Sequence, residues 1–253
     1  MGDRVLDSQA KREFGERGYV VVPGVEPGVL IERAMQAVDA AIREKPPPEG
    51  THGPHFYWPQ IQPGHPLLDL LTESPALDLA QSLAGPWRLQ VPTFGQIALN
   101  IPPFDHRPGR HHLDGATPPP ADGIPSTFTL LLGIMLTDQL EQNGGNLWVW
   151  PATHYTHAEH FTEAGPDALI AAGGYPPIPL PEPEQVVGRA GDVLFAHYLL
   201  AHNIGGNISG ETRRMIYLRL EAEGHRERWR AFMQDALLEL APVREALAGA
   251  SGS

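Results

Sequence analysis

Residues 109–117, GRHHLDGAT, place two adjacent histidines and an aspartate in a stretch otherwise rich in proline. His112 and Asp114 form a His-x-Asp, whereas His111 stands one residue out of that register. In an extended segment residues i and i+2 share a face, so His112 and Asp114 can aim the same way. His157 with Glu159 and His225 with Glu227 are His-x-Glu competitors. Both fall where helices are expected, and residues two apart on a helix diverge. The pair alone is weak evidence: with 12 histidines and a like number of aspartates, chance supplies roughly half an occurrence. A facial metal site needs a second histidine from another segment, and HYLLAHNIGGNISGETRRMIYLRL (197–220) offers His197 and His202. Two histidines and one carboxylate with open positions are the donor set of non-haem iron(II) oxygenases. A keto acid bound there requires a guanidinium for its far carboxylate, because a planar fork holds a carboxylate bidentately. Arg213 and Arg214 follow closely downstream.

These side chains have to be brought together by strands. Residues 7–17 read as a helix leading into the short strand GYVVVPG. In 27–45, Leu30, Ala34, Ala37, Val38, Ala41 and Ile42 fall on one face of an amphipathic helix. A further helical stretch spans 66–84, interrupted at Pro75. Beyond it TFGQIALNI, STFTLLLGIMLT, NLWVW, QVVGRAGDVLFAH and RRMIYLRLEAE are β-branched or aromatic runs separated by turn residues. They lie too close together for helical crossovers, so the sheets should be antiparallel. Helices return at 225–248. The expected architecture is mainly β with flanking N- and C-terminal helices. The chain reads as one domain over 1–253, with a β core at about 90–221 and helical elements at 7–84 and 225–248.

Composition narrows the chemistry. The chain has 253 residues, no cysteine and a formal net charge of −12. Thiol nucleophiles, disulfides and cysteine-ligated metals are excluded. The negative charge argues against nucleic acid or an anionic membrane as a partner. No apolar run reaches the length of a membrane span and the N-terminal stretch is too polar for a signal peptide, so a cytoplasmic location is expected. The proline clusters KPPPEG (45–50), TPPPADGIP (117–125) and YPPIPLPEPE (175–184) read as surface loops.

The order of the motifs resembles the phytanoyl-CoA dioxygenase family of Fe(II)/2-oxoglutarate oxygenases. The resemblance runs from FGERGYVVVPG to YLRL and rests on HLD (112–114), NGGNLWVWPATH (143–154) and HNIGGNISGETR (202–213). Asn207, Ser209 and Arg213 stand at +5, +7 and +11 from His202, as in the family pattern; the same offsets from His197 fail. The resemblance implies a double-stranded β-helix (jelly roll, cupin-like). It implies His112, Asp114 and His202 as iron ligands, and 2-oxoglutarate and dioxygen as co-substrates, with 2-oxoglutarate anchored by Arg213 and Ser209. Oxidation of a small-molecule metabolite, most simply hydroxylation with release of succinate and CO2, is the implied reaction. Asp114 argues against halogenation, in which a small residue replaces the carboxylate ligand. One departure is Ile204, where the family usually has a serine that helps hold the keto acid. Gln96 and Asn100 are candidate substitutes, because they alternate with Ile97 and Leu99 on one strand face.

His55, Tyr57 and Trp58, in the Gly- and Pro-rich stretch GTHGPHFYWPQ, are expected to lid the substrate pocket from a loop. Arg107, Arg110 and His111 flank the ligands and are further candidates for substrate contact. Asn143, Gly144 and Gly145 read as a turn, Trp148 and Trp150 as core, and Thr153 as a helix N-cap. A CoA thioester would want a basic rim, yet the only lysines are Lys11 and Lys45, which favours a small free metabolite. The competing readings are a cupin-type enzyme without 2-oxoglutarate and a non-catalytic jelly-roll binding protein. Neither requires a guanidinium at position 213.

Overall fold

The computed structural model describes residues 5–117 and 121–250. Pro118–Pro120 of the second proline cluster therefore lie outside the described residues. Helix α1 (Ser8–Arg17) starts where the Asp7 carboxylate accepts from the Ala10 amide and ends at Gly18. Strand β1 (Tyr19–Val22) follows, then α2 (Gly28–Glu44), whose Leu30, Ala34 and Val38 are buried as the periodicity requires. Pro75 separates α3 (Pro66–Thr72) from α4 (Ala76–Gln81).

The strands are β2 (Gly53–Tyr57), β3 (Gln96–Ile101), β4 (Leu130–Met135), β5 (Leu147–Val149), β6 (Glu184–Gln185), β7 (Val193–His197), β8 (His202–Ile204) and β9 (Arg213–Leu220). With β1 they form a six-stranded sheet, β1-β7-β4-β9-β3-β2, and a three-stranded sheet, β6-β5-β8, with every pairing antiparallel. The remaining helices are α5 (Thr153–Ala164), α6 (Ala168–Ala171), α7 (His225–Gln234) and α8 (Ala241–Ala250). Among the described residues no helix is long and apolar enough to cross a membrane.

Period-two alternation divides the apolar residues of the large sheet between two cores. Ile97, Leu99, Leu132, Ile134, Ile216 and Leu218 face α2–α4, while Ala98, Leu131, Met135, Met215 and Tyr217 face the smaller sheet. Gln96, Ala98 and Asn100 thus point between the sheets, as do Arg213, Met215, Tyr217 and Arg219. This is the double-stranded β-helix arrangement with helices packed on the outside of its larger sheet.

Three local expectations are corrected. The stretch expected to be a loop lid contains β2, an edge strand pairing with β3 from Gly53↔Ile101 to Tyr57↔Ile97. Its Pro54 is tolerated because an edge strand has one row of unpaired backbone groups. QVVGRAGDVLFAH is not one strand: its first residue ends β6, Val193–His197 form β7, and the chain turns at Gly191 (φ 94°) between them. Thr153 is the first helical residue and not the cap, which is Ala152 at φ 64°. The Thr153 hydroxyl instead donates to the Trp150 carbonyl at 2.6 Å and accepts from the Ala201 amide at 3.0 Å.

Candidate metal centre

The segment carrying His112 is stitched to β8 by the His112 amide donating to the His202 carbonyl at 3.0 Å. This backbone pairing sets the two imidazoles side by side, with centroids 4.5 Å apart. After Asp114 the chain turns at Gly115 (φ 85°), where a Cβ would lie 2.4 Å from the Ser126 carbonyl oxygen; only glycine fits there. The buried Tyr198 hydroxyl donates to the Asp114 carbonyl at 2.9 Å and fixes the backbone from the other side.

Asp114 Oδ1 lies 3.4 Å from His112 Nε2 and 3.8 Å from His202 Nε2. One atom from each of the three residues falls within 4.8 Å of the others, a spacing at which a single cation can touch all three. The protonation states suit that use. His202 Nδ1 donates to the Leu200 carbonyl at 2.9 Å, so Nε2 faces the centre with a free lone pair. Burial, then His112, pushes the His202 imidazole down to about 4. Burial works against ionisation of Asp114, but the Arg219 guanidinium, the His112 hydrogen bond and His202 outweigh it, and the carboxyl is held far below the ordinary carboxylate range. Arg219 donates from Nε at 3.1 Å and Nη2 at 2.6 Å to Asp114 Oδ2, leaving Oδ1 to the histidines.

These donors stand in the wall of a cavity of about 740 Å³ lined also by Phe56, Trp58, Leu131, Tyr175, Ile204 and Tyr217. Gln96 reaches it, with Oε1 accepting from Arg219 Nη2 at 3.0 Å. Arg213 sits behind this wall, 3% exposed, its Nη2 donating to the Tyr217 hydroxyl at 2.7 Å and its Nε to Gln139 Oε1 at 3.1 Å. Gln139 Nε2 and Asn100 Oδ1 are buried without a hydrogen-bond partner. A carboxylate arriving at the guanidinium therefore has a spare amide donor on the residue that holds it.

Several expected contacts fall elsewhere. In β2 the cavity receives Phe56 and Trp58, whereas Tyr57 packs on the helical side and donates to the Lys45 carbonyl at 2.8 Å. His55, in contact with the Tyr57 ring, shares that opposite strand face. His111 turns into the interior: His157 Nδ1 donates to the Leu199 carbonyl, which makes His157 Nε2 the acceptor for His111 Nε2–H at 3.0 Å. Burial, then His112, pushes His111 down to about 4. Arg107 lies over Trp148 and Arg110 over Tyr175. Neither arginine lines the cavity. Asn100 holds the Gly205 carbonyl at 2.9 Å. Ser209 braces the turn before β9 through Asn207 Oδ1 at 2.7 Å, in a separate depression of about 350 Å³ that also touches Arg213. His197 is spent inside the fold, Nε2 donating to the Ala236 carbonyl at 2.6 Å. Arg214 points outward and pairs with Asp39 on α2 at 2.7 Å. Arg219, Tyr217, Gln139 and Tyr175 were not singled out in the sequence; alternation from Arg213 places the first two on the face of the arginine itself.

Two imidazoles and one carboxylate converging beside a cavity of a jelly roll define a mononuclear metalloenzyme class. Within that class, the family model "Phytanoyl-CoA dioxygenase (PhyH)" matches residues 14–215, and the chain belongs to this family of 2-oxoglutarate-dependent non-haem iron enzymes, which use dioxygen. Among curated proteins no sequence matches. Solved structures share the fold at low identity. The α-ketoglutarate-dependent carbocyclase SnoK from nogalamycin biosynthesis is 21% identical, with TM-score 0.58 over 85% of this chain and 84% of its own. HygX from Streptomyces hygroscopicus, crystallised with nickel and 2-oxoglutarate, is 17% identical, with TM-score 0.59 over 86% and 88%. EvdO2 from Micromonospora carbonacea var. aurantiaca is 19% identical, with TM-score 0.56 over 86% and 91%.

Proposed function

We propose that the protein hydroxylates a C–H bond of a small metabolite, with 2-oxoglutarate leaving as succinate and CO2. One oxygen atom of O2 enters the alcohol and the other enters succinate. The observation that carries this reading is the convergence of His112 Nε2, Asp114 Oδ1 and His202 Nε2 in the cavity wall. Iron(II), when bound, supplies the activation of dioxygen. His112 and His202 offer Nε2, and Asp114 offers Oδ1 while Arg219 retains Oδ2. Arg213 takes the far carboxylate of the keto acid, oriented by Gln139. At Ile204 the family serine is missing, and the Tyr217 hydroxyl, already on the Arg213 guanidinium, supplies the hydrogen bond. Gln96 holds Arg219 and presents its amide to the cavity.

The test is an anaerobic titration of the iron(II) protein with 2-oxoglutarate, followed by aerobic metabolite screening that reads succinate. A visible absorption band and a product that gains one oxygen atom are expected. No band at saturation refutes the co-substrate assignment. A product that loses two hydrogens, or an isomer of unchanged mass, refutes hydroxylation in favour of ring closure, desaturation or epimerisation.

A further inference from the structure

Trp58 is 54% exposed and Tyr175 is 42% exposed, and both line the cavity that holds the metal donors. Together they present two large aromatic side chains beside one and the same cavity. Each ring is braced by an arginine, Arg219 at 5.0 Å from the Trp58 centroid and Arg110 at 4.1 Å from that of Tyr175. The guanidinium restrains each ring, which lowers the cost of ordering it against a ligand. Tyr175 also lies 6.3 Å from the His112 ring, which ties this platform to the metal donors.

Charge narrows the ligand. Apart from the histidines, the charged side chains among the described lining residues are Asp114 and Arg219, and these are paired with each other. Neither is free to neutralise a phosphate, a carboxylate or an ammonium on a substrate. The guanidiniums of Arg219 and Arg110 over these two rings draw on their π electrons, which makes the rings poor partners for a further cation. Phe56, Leu113, Leu131, Leu147 and Ile204 complete an apolar wall. The volume of about 740 Å³ suits a molecule of a few rings beside the keto acid.

We propose that the substrate is a neutral molecule carrying a planar, conjugated ring system, which Trp58 and Tyr175 grip at the cavity mouth. This names the substrate class of the reaction proposed above and rests on that reading. The probe is prodan, a neutral naphthalene fluorophore, titrated into the nickel(II)- and 2-oxoglutarate-loaded protein. Saturable binding is expected, weakened about tenfold by Trp58→Ala and by Tyr175→Ala, and less than about threefold by Trp58→Phe and Tyr175→Phe, which keep a ring. 2-Naphthol is expected to displace the probe, and kanamycin, a cationic polyol, is expected to leave it bound. The iron(II)–2-oxoglutarate band should be the same in the wild type and all four variants. Wild-type probe affinity in both alanine variants, with that band intact, overturns the ring grip. So does displacement by kanamycin but not by 2-naphthol. Absence of the band in the wild-type protein instead overturns the reaction on which the proposal rests.

Discussion

Replacing Tyr217 with Phe removes one hydroxyl and leaves the three metal donors and Arg213 untouched. That hydroxyl accepts from Arg213 Nη2 at 2.7 Å and donates to the Met215 sulfur at 3.3 Å, in a residue only 6% exposed. A carboxylate reaching Arg213 takes the hydroxyl proton away from the sulfur, a weak acceptor. The exchange gains a hydrogen bond to a charged group, which contributes about 1.5–3 kcal/mol. An opposing effect is also present. In the empty site the phenylalanine leaves Arg213 short of an acceptor, and the arriving carboxylate then relieves that deficit. The net loss should sit at the low end, about 1.5–2 kcal/mol, or roughly ten- to thirtyfold in 2-oxoglutarate affinity. Anaerobic titration of the iron(II) protein reads this directly, and iron(II) affinity measured alongside should not change. Introducing Ile204→Ser into the Tyr217→Phe protein restores a hydroxyl at the family position and should recover most of the loss. If Tyr217→Phe binds 2-oxoglutarate like wild type, or Ile204→Ser recovers nothing, Tyr217 does not stand in for the missing serine.

Arg213→Ala removes one partner of a desolvated ion pair, so it should weaken 2-oxoglutarate by roughly two to three and a half orders of magnitude, about 3–5 kcal/mol, with Arg213→Lys recovering part. Arg214→Ala loses the half-exposed Asp39 pair and should cost at most about 1 kcal/mol of stability, with normal 2-oxoglutarate binding; the reverse outcome would place the register one residue off. His112→Ala, Asp114→Ala and His202→Ala should each abolish iron(II) binding measured by anaerobic titration, while folded His111→Ala and His197→Ala retain it. Loss of iron from His197→Ala with retention in His202→Ala contradicts the ligand assignment. Glu26 is buried, and desolvation pushes it up to about 8, with the Ser74 hydroxyl only partly offsetting. The unfolded chain gives up this proton near 4.5 and the folded protein near 8, so Glu26 makes stability fall as pH rises between those values, by on the order of 1.4 kcal/mol per unit at most. Glu26→Gln should flatten that fall in denaturant midpoints; an unchanged slope from pH 5 to 8 rules the assignment out.

The larger elements were legible because their signals are periodic. The stripe Leu30, Ala34, Val38 became the buried face of α2, and the alternation in QIALN put Gln96 and Asn100 between the sheets. The match of offsets from His202 also separated two histidines that composition treats alike. What separates them physically is the backbone: His202 is bridged to His112, while His197 faces α7 and the Ala236 carbonyl beyond it. Where the sequence misled, a long-range partner decided. HFYW reads as a loop because Gly53 and Pro54 precede it, yet β3 offers an edge on which Phe56 meets Ala98. His111 adjoins His112 in sequence, yet a vacant acceptor on His157, 46 positions away, draws it into the core.

Arg219 shows why the immediate surroundings of such a site are harder to read than its ligands. Nothing about an arginine near the end of a strand announces its partner, and Asp114 is 105 residues upstream. The information lies in strand parity. Once Arg213 faces inward, residues 215, 217 and 219 must face inward too, and a guanidinium there has to find an acceptor or remain a half-buried unpaired charge. The acceptor it finds is Asp114 Oδ2, reached by two nitrogens of the same fork. In the function proposed above, one strand, β9, thus carries the anchor for the keto acid at its start (Arg213), the hydroxyl that shares the load in its middle (Tyr217) and the clamp on the Asp114 carboxylate near its end (Arg219). A shift of β9 against β3 by one residue would turn all three away from the site at once, because side chains alternate between the faces of a strand. The pairings Asn100↔Arg213 and Gln96↔Tyr217 fix that register, and so link the two polar residues of β3 to the function of the centre even where they touch no ligand.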